Sequence, residues 1–186
     1  SGVYALLEKN AALIEQRTGV AVSITAICDL RTDEVRKRTA GVAVTGDWRQ
    51  VVDDPEIDTV IELIGGLDPA KAIVLAALER GKNVVTANKK LLAEDGGEIF
   101  ARARTKPAGL GFEAAVGGGI PCILSLRSGL VGNRVSTVMG ILNGTTNYIL
   151  TQMTDGGLSF DAALAIAQQK GFAEADPTFD VEGFDA

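Results

Sequence analysis

Histidine is absent from the 186-residue sequence. That absence removes the commonest general base and metal ligand. Ser-His-Asp hydrolysis and histidine-based zinc chemistry are therefore excluded, and any acid or base must be Asp, Glu, Lys, Tyr or Cys. Cysteine is scarce: Cys28 and Cys122 stand far apart and lack C-x-x-C spacing. They read as buried thiols in a reducing, cytoplasmic setting, not as a disulfide framework or a metal site. No apolar run approaches the roughly 20 residues that span a bilayer, and no signal-peptide pattern opens the chain, so no membrane partner is expected. Lys and Arg total 18 against 24 Asp and Glu, and the resulting net charge of −6 argues against a nucleic-acid partner. The G-x-G-x-x-G fingerprint of dinucleotide-binding turns is also missing.

What remains is ordinary globular material, 46% hydrophobic and 23% charged, enough for one domain or one and a half. Helical spacing of Val3, Leu6, Leu7, Ala11, Leu13 and Ile14 predicts a helix over 3–17, stopped by Thr18-Gly19. Residues 20–28 fill with β-branched side chains and predict a strand ending at Asp29. Thr32 or Asp33 is expected to cap a short basic helix through Arg38, with a minor strand at 42–44 and a turn of helix at 48–52. The apolar run 59–64 surrounds a single glutamate and reads as a strand. A helix at 69–80, a strand at 83–87, helices at 89–92 and 94–105, and a strand within 109–116 complete the first part.

Alternating strands and helices of this size predict an α/β fold, a doubly wound Rossmann-like parallel sheet. Such sheets bind ligands at the carboxyl ends of their strands. Here those ends carry Asp29, Gly65-Gly66 and residues 86–90. Asp29 can bind an adenosine ribose through its hydroxyls, and Arg31 can instead pair with a 2′-phosphate. Equally, Asp29 can merely cap the turn that follows it. The chain opens on a helix with no strand and no Gly-rich turn before it, and truncation is the economical explanation.

After Val116 the texture changes. Gly117-Gly118-Gly119 is costly to order and is kept where backbone must come close to something. A helix is expected over 123–130 and a strand over 134–142. Asn143-Gly144-Thr145-Thr146-Asn147 then turns into a helix over 148–153, suited to a small polar or anionic group or serving as an ordinary N-cap. A further helix at 160–170 leads to Gly171 and a stretch bearing Glu174, Asp176, Asp180, Glu182 and Asp185 without a single Lys or Arg. These carboxylates repel one another unless something cationic sits among them. Phe172, Phe179, Val181 and Phe184 are interleaved with them and call for burial, which speaks for a site rather than a frayed tail.

Five segments together carry a resemblance. Ile61-Glu62-Leu63-Ile64-Gly65-Gly66, Val85-Thr86-Ala87-Asn88-Lys89-Lys90-Leu91-Leu92-Ala93, Phe112-Glu113-Ala114-Ala115-Val116-Gly117-Gly118-Gly119-Ile120-Pro121, Gly140-Ile141-Leu142-Asn143-Gly144-Thr145-Thr146-Asn147-Tyr148-Ile149 and residues 171–185 stand in order as in the homoserine dehydrogenases. The sequence resembles the middle portion of that family over essentially its whole length. The resemblance implies a nucleotide-binding domain at 1–116, its first strand missing, followed at 117–186 by the start of an α+β substrate and dimerisation domain. It implies NAD- or NADP-dependent interconversion of L-homoserine and L-aspartate-4-semialdehyde in the biosynthesis of threonine, methionine and isoleucine, by a homodimer. Lys89, Gly171 and Gly65 would contact the cofactor together with Asp29 and Arg31. Gly144, Thr145, Glu174 and Asp180 would face the substrate, and Asp185 the catalytic centre. Glu113 with the carbonyls of Val116, Gly118 and Ile120 would hold a structural sodium ion, all-oxygen ligation being apt for a hard cation.

Two rivals stand beside this reading. One is a non-catalytic α/β module that binds a small ligand; the other is a related semialdehyde or 2-oxo-acid dehydrogenase. The family's proton-donating lysine falls beyond Asp185 and outside these residues. The expectation is that the purified 186-residue chain shows no homoserine-dependent NADP reduction, which a spectrophotometric assay at 340 nm checks directly.

Overall fold

The computed structural model of the chain describes residues 2–141, 143–173 and 177–183, without the side chains of Phe179 and Asp180. Helix α1 (Gly2–Thr18) leads to strand β1 (Ala26–Cys28), helix α2 (Thr32–Arg36), strand β2 (Ala43–Thr45) and helix α3 (Trp48–Val52). Strand β3 (Thr59–Glu62), helix α4 (Ala70–Glu79), strand β4 (Asn83–Thr86), helix α5 (Lys89–Thr105) and strand β5 (Leu110–Gly111) follow. Every strand pairing is parallel: β1 with β2, and β3 with β4 with β5. Among the described residues these form two sheets, with orders β1-β2 and β3-β4-β5. Parallel strands joined by helices are the expected α/β arrangement.

Helix α4 shows why the sequence folds this way. Ala70, Ile73, Val74, Ala77 and Leu78 are buried, at the 0, 3, 4, 7, 8 spacing that lines one face of a helix. Four alanines also favour the helical backbone itself. Gly81, at φ 73°, ends the run in the left-handed conformation that glycine alone adopts at little cost. The buried stripe packs on one face of the β3–β4–β5 sheet. Both β3 and β4 alternate exposed and buried residues, sending Val60, Glu62, Val84 and Thr86 inward. Val52, Ile57, Leu91 and Ile99 complete this core. Lys71 bridges α4 to α5 by pairing with Asp95 at 2.6 Å and Glu98 at 2.9 Å.

A second core lies further along the chain. After a 3-10 turn at Glu113–Ala115, helix α6 (Cys122–Leu124) runs into a π-helical turn at Ser125–Gly129. Helices α7 (Gly144–Gly156) and α8 (Phe160–Gln169) then pack together, and α9 (Thr178–Val181) follows. Ile149, Ala163, Ala167 and Ala173 are buried between them. Asn143 caps α7 by accepting from Thr146 N–H at 2.7 Å, and Ser159 caps α8 by accepting from Ala162 N–H at 3.3 Å.

The structure corrects several expectations. Residues 134–141 form no strand: Val135, Val138, Met139 and Ile141 are exposed, and among the described residues no neighbouring strand receives them. Alternation without a partner to pair with yields extended coil. The first predicted strand shrinks to β1: among the described residues 20–24 have no ladder beside them, and Thr25 contributes only its carbonyl, which accepts from Ala43 N–H at 3.1 Å. Arg31, not Thr32 or Asp33, occupies the N-cap position of α2, and it makes no side-chain cap. Helix α5 runs unbroken from Lys89 through Ala93, where two helices were expected. The two thiols are half-buried instead of buried. Helix α7 begins at Gly144, four residues before the expected start.

Helix α1 contributes no buried residue, whereas Leu78 is fully buried in the α4 stripe. Leu78→Ala should therefore cost about 2–5 kcal/mol, and Leu6→Ala on α1 less than about 0.5 kcal/mol. Urea denaturation of the two variants followed by circular dichroism checks both.

Candidate functional site

The carboxyl ends of β3 and β4 are joined by a buried polar ring. Glu62 ends β3 with its side chain inward, and Thr86 stands opposite it in the parallel register. The Thr86 hydroxyl donates to Glu62 Oε2 at 2.6 Å. Glu62 Oε1 accepts from the N–H groups of Ile64 at 2.8 Å and Gly65 at 3.2 Å. Thr86 Oγ1 accepts from Asn88 N–H at 3.1 Å, and Asn88 Nδ2 donates to the Gly66 carbonyl at 2.7 Å. Asn88 Oδ1 meanwhile caps α5 through Leu91 N–H at 3.0 Å. Gly65 and Gly66 have φ of 75° and 69°, a backbone that side-chain-bearing residues rarely adopt. Nothing lies within 4 Å of where a Cβ on either would stand. The two glycines thus form an open ledge above a tied-down base, where parallel sheets receive ligands. Lys89, exposed at the first turn of α5, follows directly on this ring.

Asp29 and Arg31 follow β1 and are tied to each other. Asp29 Oδ1 accepts from Arg31 N–H at 2.8 Å, and the guanidinium Nε lies 3.5 Å away. That backbone N–H, with the guanidinium beside it, holds the Asp29 carboxyl below its usual range. Cys28, one residue earlier, has its thiol pushed up by burial and then by the carboxylates of Asp47 and Asp29. It is accordingly poor nucleophile material.

Glu113 opens the 3-10 turn after β5 and reaches across to α6. Its Oε1 accepts from Ile123 N–H at 2.9 Å and its Oε2 from Leu124 N–H at 2.7 Å. Between them, Gly117 and Gly118 adopt φ of 68° and 62°, which turns the backbone of 116–120 back on itself. The Val116 carbonyl faces Cys122 Sγ at 3.6 Å, and the Ile120 carbonyl accepts from Cys122 N–H at 2.8 Å. Glu113, Val116, Gly118 and Ile120 therefore share one tight loop. Each carboxylate oxygen keeps a further lone pair. The donors are a carboxylate and carbonyls, which suits a hard cation and not zinc. Among the described residues no cluster of three or more His, Cys, Asp or Glu groups is suited to a metal.

A third group gathers where α7 begins. Gly144, Thr145, Tyr148 and Phe172 line an open cleft of about 340 Å³. The Thr145 hydroxyl donates to the Phe172 carbonyl at 2.7 Å. The rings of Tyr148 and Phe172 meet edge to face at 5.0 Å, and the Lys170 ammonium lies 5.2 Å from the Tyr148 ring. Gly171, at φ 72°, turns the chain so that Phe172 reaches this cleft. Thr145 and Phe172 thus come together across 27 residues of sequence. Asp180 lies in α9 with its side chain undescribed, and Glu174 and Asp185 fall outside the described residues. A larger cleft of about 470 Å³ lies at the amino end of β4. There the buried Lys82 donates to the carbonyls of Asp54 and Ile57, which ties a loop down at the wrong end of the sheet for a ligand.

Glu62, Thr86, Asn88, Tyr148 and Phe172 were not among the residues singled out by role from sequence. Glu62 did leave a signal, as the one charge inside an apolar strand segment.

Comparison with known proteins gives a consistent result. The family described as "Homoserine dehydrogenase, NAD binding domain" matches residues 1–113, and the family described as "Homoserine dehydrogenase" matches residues 121–186. The homoserine dehydrogenase of Pseudomonas aeruginosa is 49% identical over 100% of this chain, which covers 42% of that relative. The chain therefore spans well under half the length of the curated relatives it matches. A crystal structure of a homoserine dehydrogenase from Thiobacillus denitrificans superposes with a TM-score of 0.90 at 49% identity, over 99% of this chain and 43% of that one. A hyperthermophilic archaeal homoserine dehydrogenase in complex with NADPH superposes with a TM-score of 0.76 at 27% identity, over 94% of this chain and 61% of that one.

Glu113→Ala leaves two N–H groups at the start of α6 without their acceptors. Amide exchange at Ile123 and Leu124 should quicken about tenfold, a local loss of about 1.4 kcal/mol within the range for an unmade hydrogen bond. Hydrogen-exchange NMR reads both positions.

Proposed function

The chain belongs to the homoserine dehydrogenase family, and on that premise we propose that it supplies the nucleotide-binding unit and part of the substrate unit of an NAD(P)-dependent oxidoreductase. The reaction is the interconversion of L-homoserine and L-aspartate-4-semialdehyde, on the route to threonine, methionine and isoleucine in the cytoplasm. The observation that carries this reading is the ledge of Gly65 and Gly66, held open at the carboxyl ends of parallel strands beside the capped start of α5. Two separate cores support a division into units at 1–116 and 117–186.

Each residue is given a task in this reading. Asp29 and Arg31 take the adenosine ribose, with the guanidinium available to a 2′-phosphate. Gly65 lets the cofactor lie close to backbone, Lys89 meets it near the nicotinamide end, and Gly171 closes on it from the second unit. When bound, the nicotinamide supplies or accepts the hydride. Gly144 and Thr145 receive the substrate in the cleft at the start of α7, where the hydroxyl bond to Phe172 fixes the cleft's far wall. Glu174 and Asp180 offer carboxylates to the substrate's ammonium, and Asp185 stands in the catalytic centre. Glu113, with the carbonyls of Val116, Gly118 and Ile120, holds a structural sodium ion that pins the loop between the units. The exposed Val131, Val138, Met139 and Ile141 support a homodimer formed through the second unit.

Titration of NADPH and NADH into the purified chain, read by nucleotide fluorescence, tests the proposal. Saturable binding of at least one nucleotide is expected. If Arg31 receives the 2′-phosphate, Arg31→Ala should weaken NADPH about tenfold, or about 1.4 kcal/mol, while NADH changes less than about twofold. A chain that binds neither nucleotide overturns the expectation that these residues by themselves hold the dinucleotide.

A further inference from the structure

Glu62 has no part in the reading above, yet it sits at the centre of its geometry. It is 3% exposed and lies on the same face as Val60, inside an apolar core. A buried carboxylate is costly for a core to keep, and a hydrophobic residue of similar volume serves stability as well or better. The carboxylate does something that an apolar side chain cannot. Its two oxygens accept three hydrogen bonds from three places: Ile64 N–H, Gly65 N–H and the Thr86 hydroxyl. Glutamine has one acceptor oxygen and cannot reproduce the set without turning Thr86 around.

The bonds close a ring. From Glu62 the path runs through the Gly65 amide to the Gly66 carbonyl, across to Asn88 Nδ2, from the Asn88 amide to Thr86 Oγ1, and back to Glu62. Residues 63–66 are thereby held from beneath at two amides and one carbonyl. Their upper side stays clear, with open space above Gly65 and Gly66 and with Ile64 53% exposed beside them. An open, partly apolar surface on a fixed base lets a ring or a ribose bind without first ordering the loop.

We propose that Glu62 is a positioning residue that presets the nucleotide site, holding the ledge of residues 63–66 in register with Thr86 and Asn88 before the cofactor arrives. The proposal rests on the dinucleotide reading of this site. It assigns Glu62 an effect on nucleotide affinity larger than its effect on fold stability explains, because the loop it restrains is the surface the nucleotide meets. Thr86 and Asn88 belong to the same device.

The test compares the unsubstituted chain with Glu62→Ala, Glu62→Gln, Thr86→Val and the core variant Leu78→Ala. Each is measured for NADPH and NADH affinity, for amide exchange at Ile64 and Gly65, and for urea stability. Glu62→Ala is expected to lose at least tenfold in exchange protection at both amides and at least tenfold in nucleotide affinity. Glu62→Gln should recover part of both, and Thr86→Val should show a smaller loss of the same kind. Leu78→Ala, which destabilises the fold without touching the ring, should keep its nucleotide affinity within about twofold under folding conditions. Unchanged affinity in Glu62→Ala, unchanged exchange at the two amides, or an equal affinity loss in Leu78→Ala overturns the positioning role. If the unsubstituted chain binds neither nucleotide while Glu62→Ala still frees the two amides, the dinucleotide reading falls and takes the cofactor half of the proposal with it, and the loop clamp stands.

Discussion

The parallel register between β3 and β4 sets Glu62 opposite Thr86, and much of the candidate nucleotide site hangs on that pairing. Side chains along a strand alternate between faces, so a slip of one residue would turn Glu62 outward and break its bond across the strands to Thr86. The register is itself fixed by burial: Val60 and Val84 must face α4 together, and Glu62 and Thr86 follow two residues later on the same face. An apolar requirement at one end of the strands thus determines a polar arrangement at the other. The ledge of Gly65 and Gly66 and the capped start of α5 are consequences of it.

Packing is uneven along the chain. The α4 stripe and the inner face of the β3–β4–β5 sheet form a dense core, while α1 buries nothing completely. Ile61 and Val85, on the outer face of the same sheet, are 42% and 39% exposed. The second core is small, with three alanines among its four buried residues, and it holds α7 against α8 by close approach rather than by bulk. Its cleft is shaped by single contacts between distant residues, chiefly the Thr145 hydroxyl on the Phe172 carbonyl and the edge-to-face rings of Tyr148 and Phe172.

Two kinds of polar group organise the loops. Asn88 and Asn143 satisfy helix N-termini, so the loops preceding α5 and α7 are fixed by the helices they start. Glu113 does the same at a distance, capping α6 from ten residues upstream and folding the glycine loop between. In each case a side chain takes up backbone donors that would otherwise be left without partners, and in doing so it decides where a candidate ligand surface lies.

The sequence by itself determined the order of the strands from β3 to β5, the helices at 70–79 and 160–169, and the family, because these rest on local periodicity and on motifs that survive without their surroundings. It also drew attention to Gly65, Gly117 and Gly171 at the ends of elements, and the structure shows each of them in the left-handed conformation. It misjudged residues 134–141, since alternation shows only that a segment suits a strand, and a strand exists only when another one lies beside it. It passed over Glu62, Thr86 and Asn88 as a unit because their connection runs between strands 24 residues apart. Only the tertiary structure decided which face each strand presents, which amides a buried carboxylate receives, and that Thr145 meets Phe172. The physical reason is the same throughout: periodicity is a property of neighbours in sequence, while hydrogen-bond partners and register are settled by the shared burial of segments far apart in the chain.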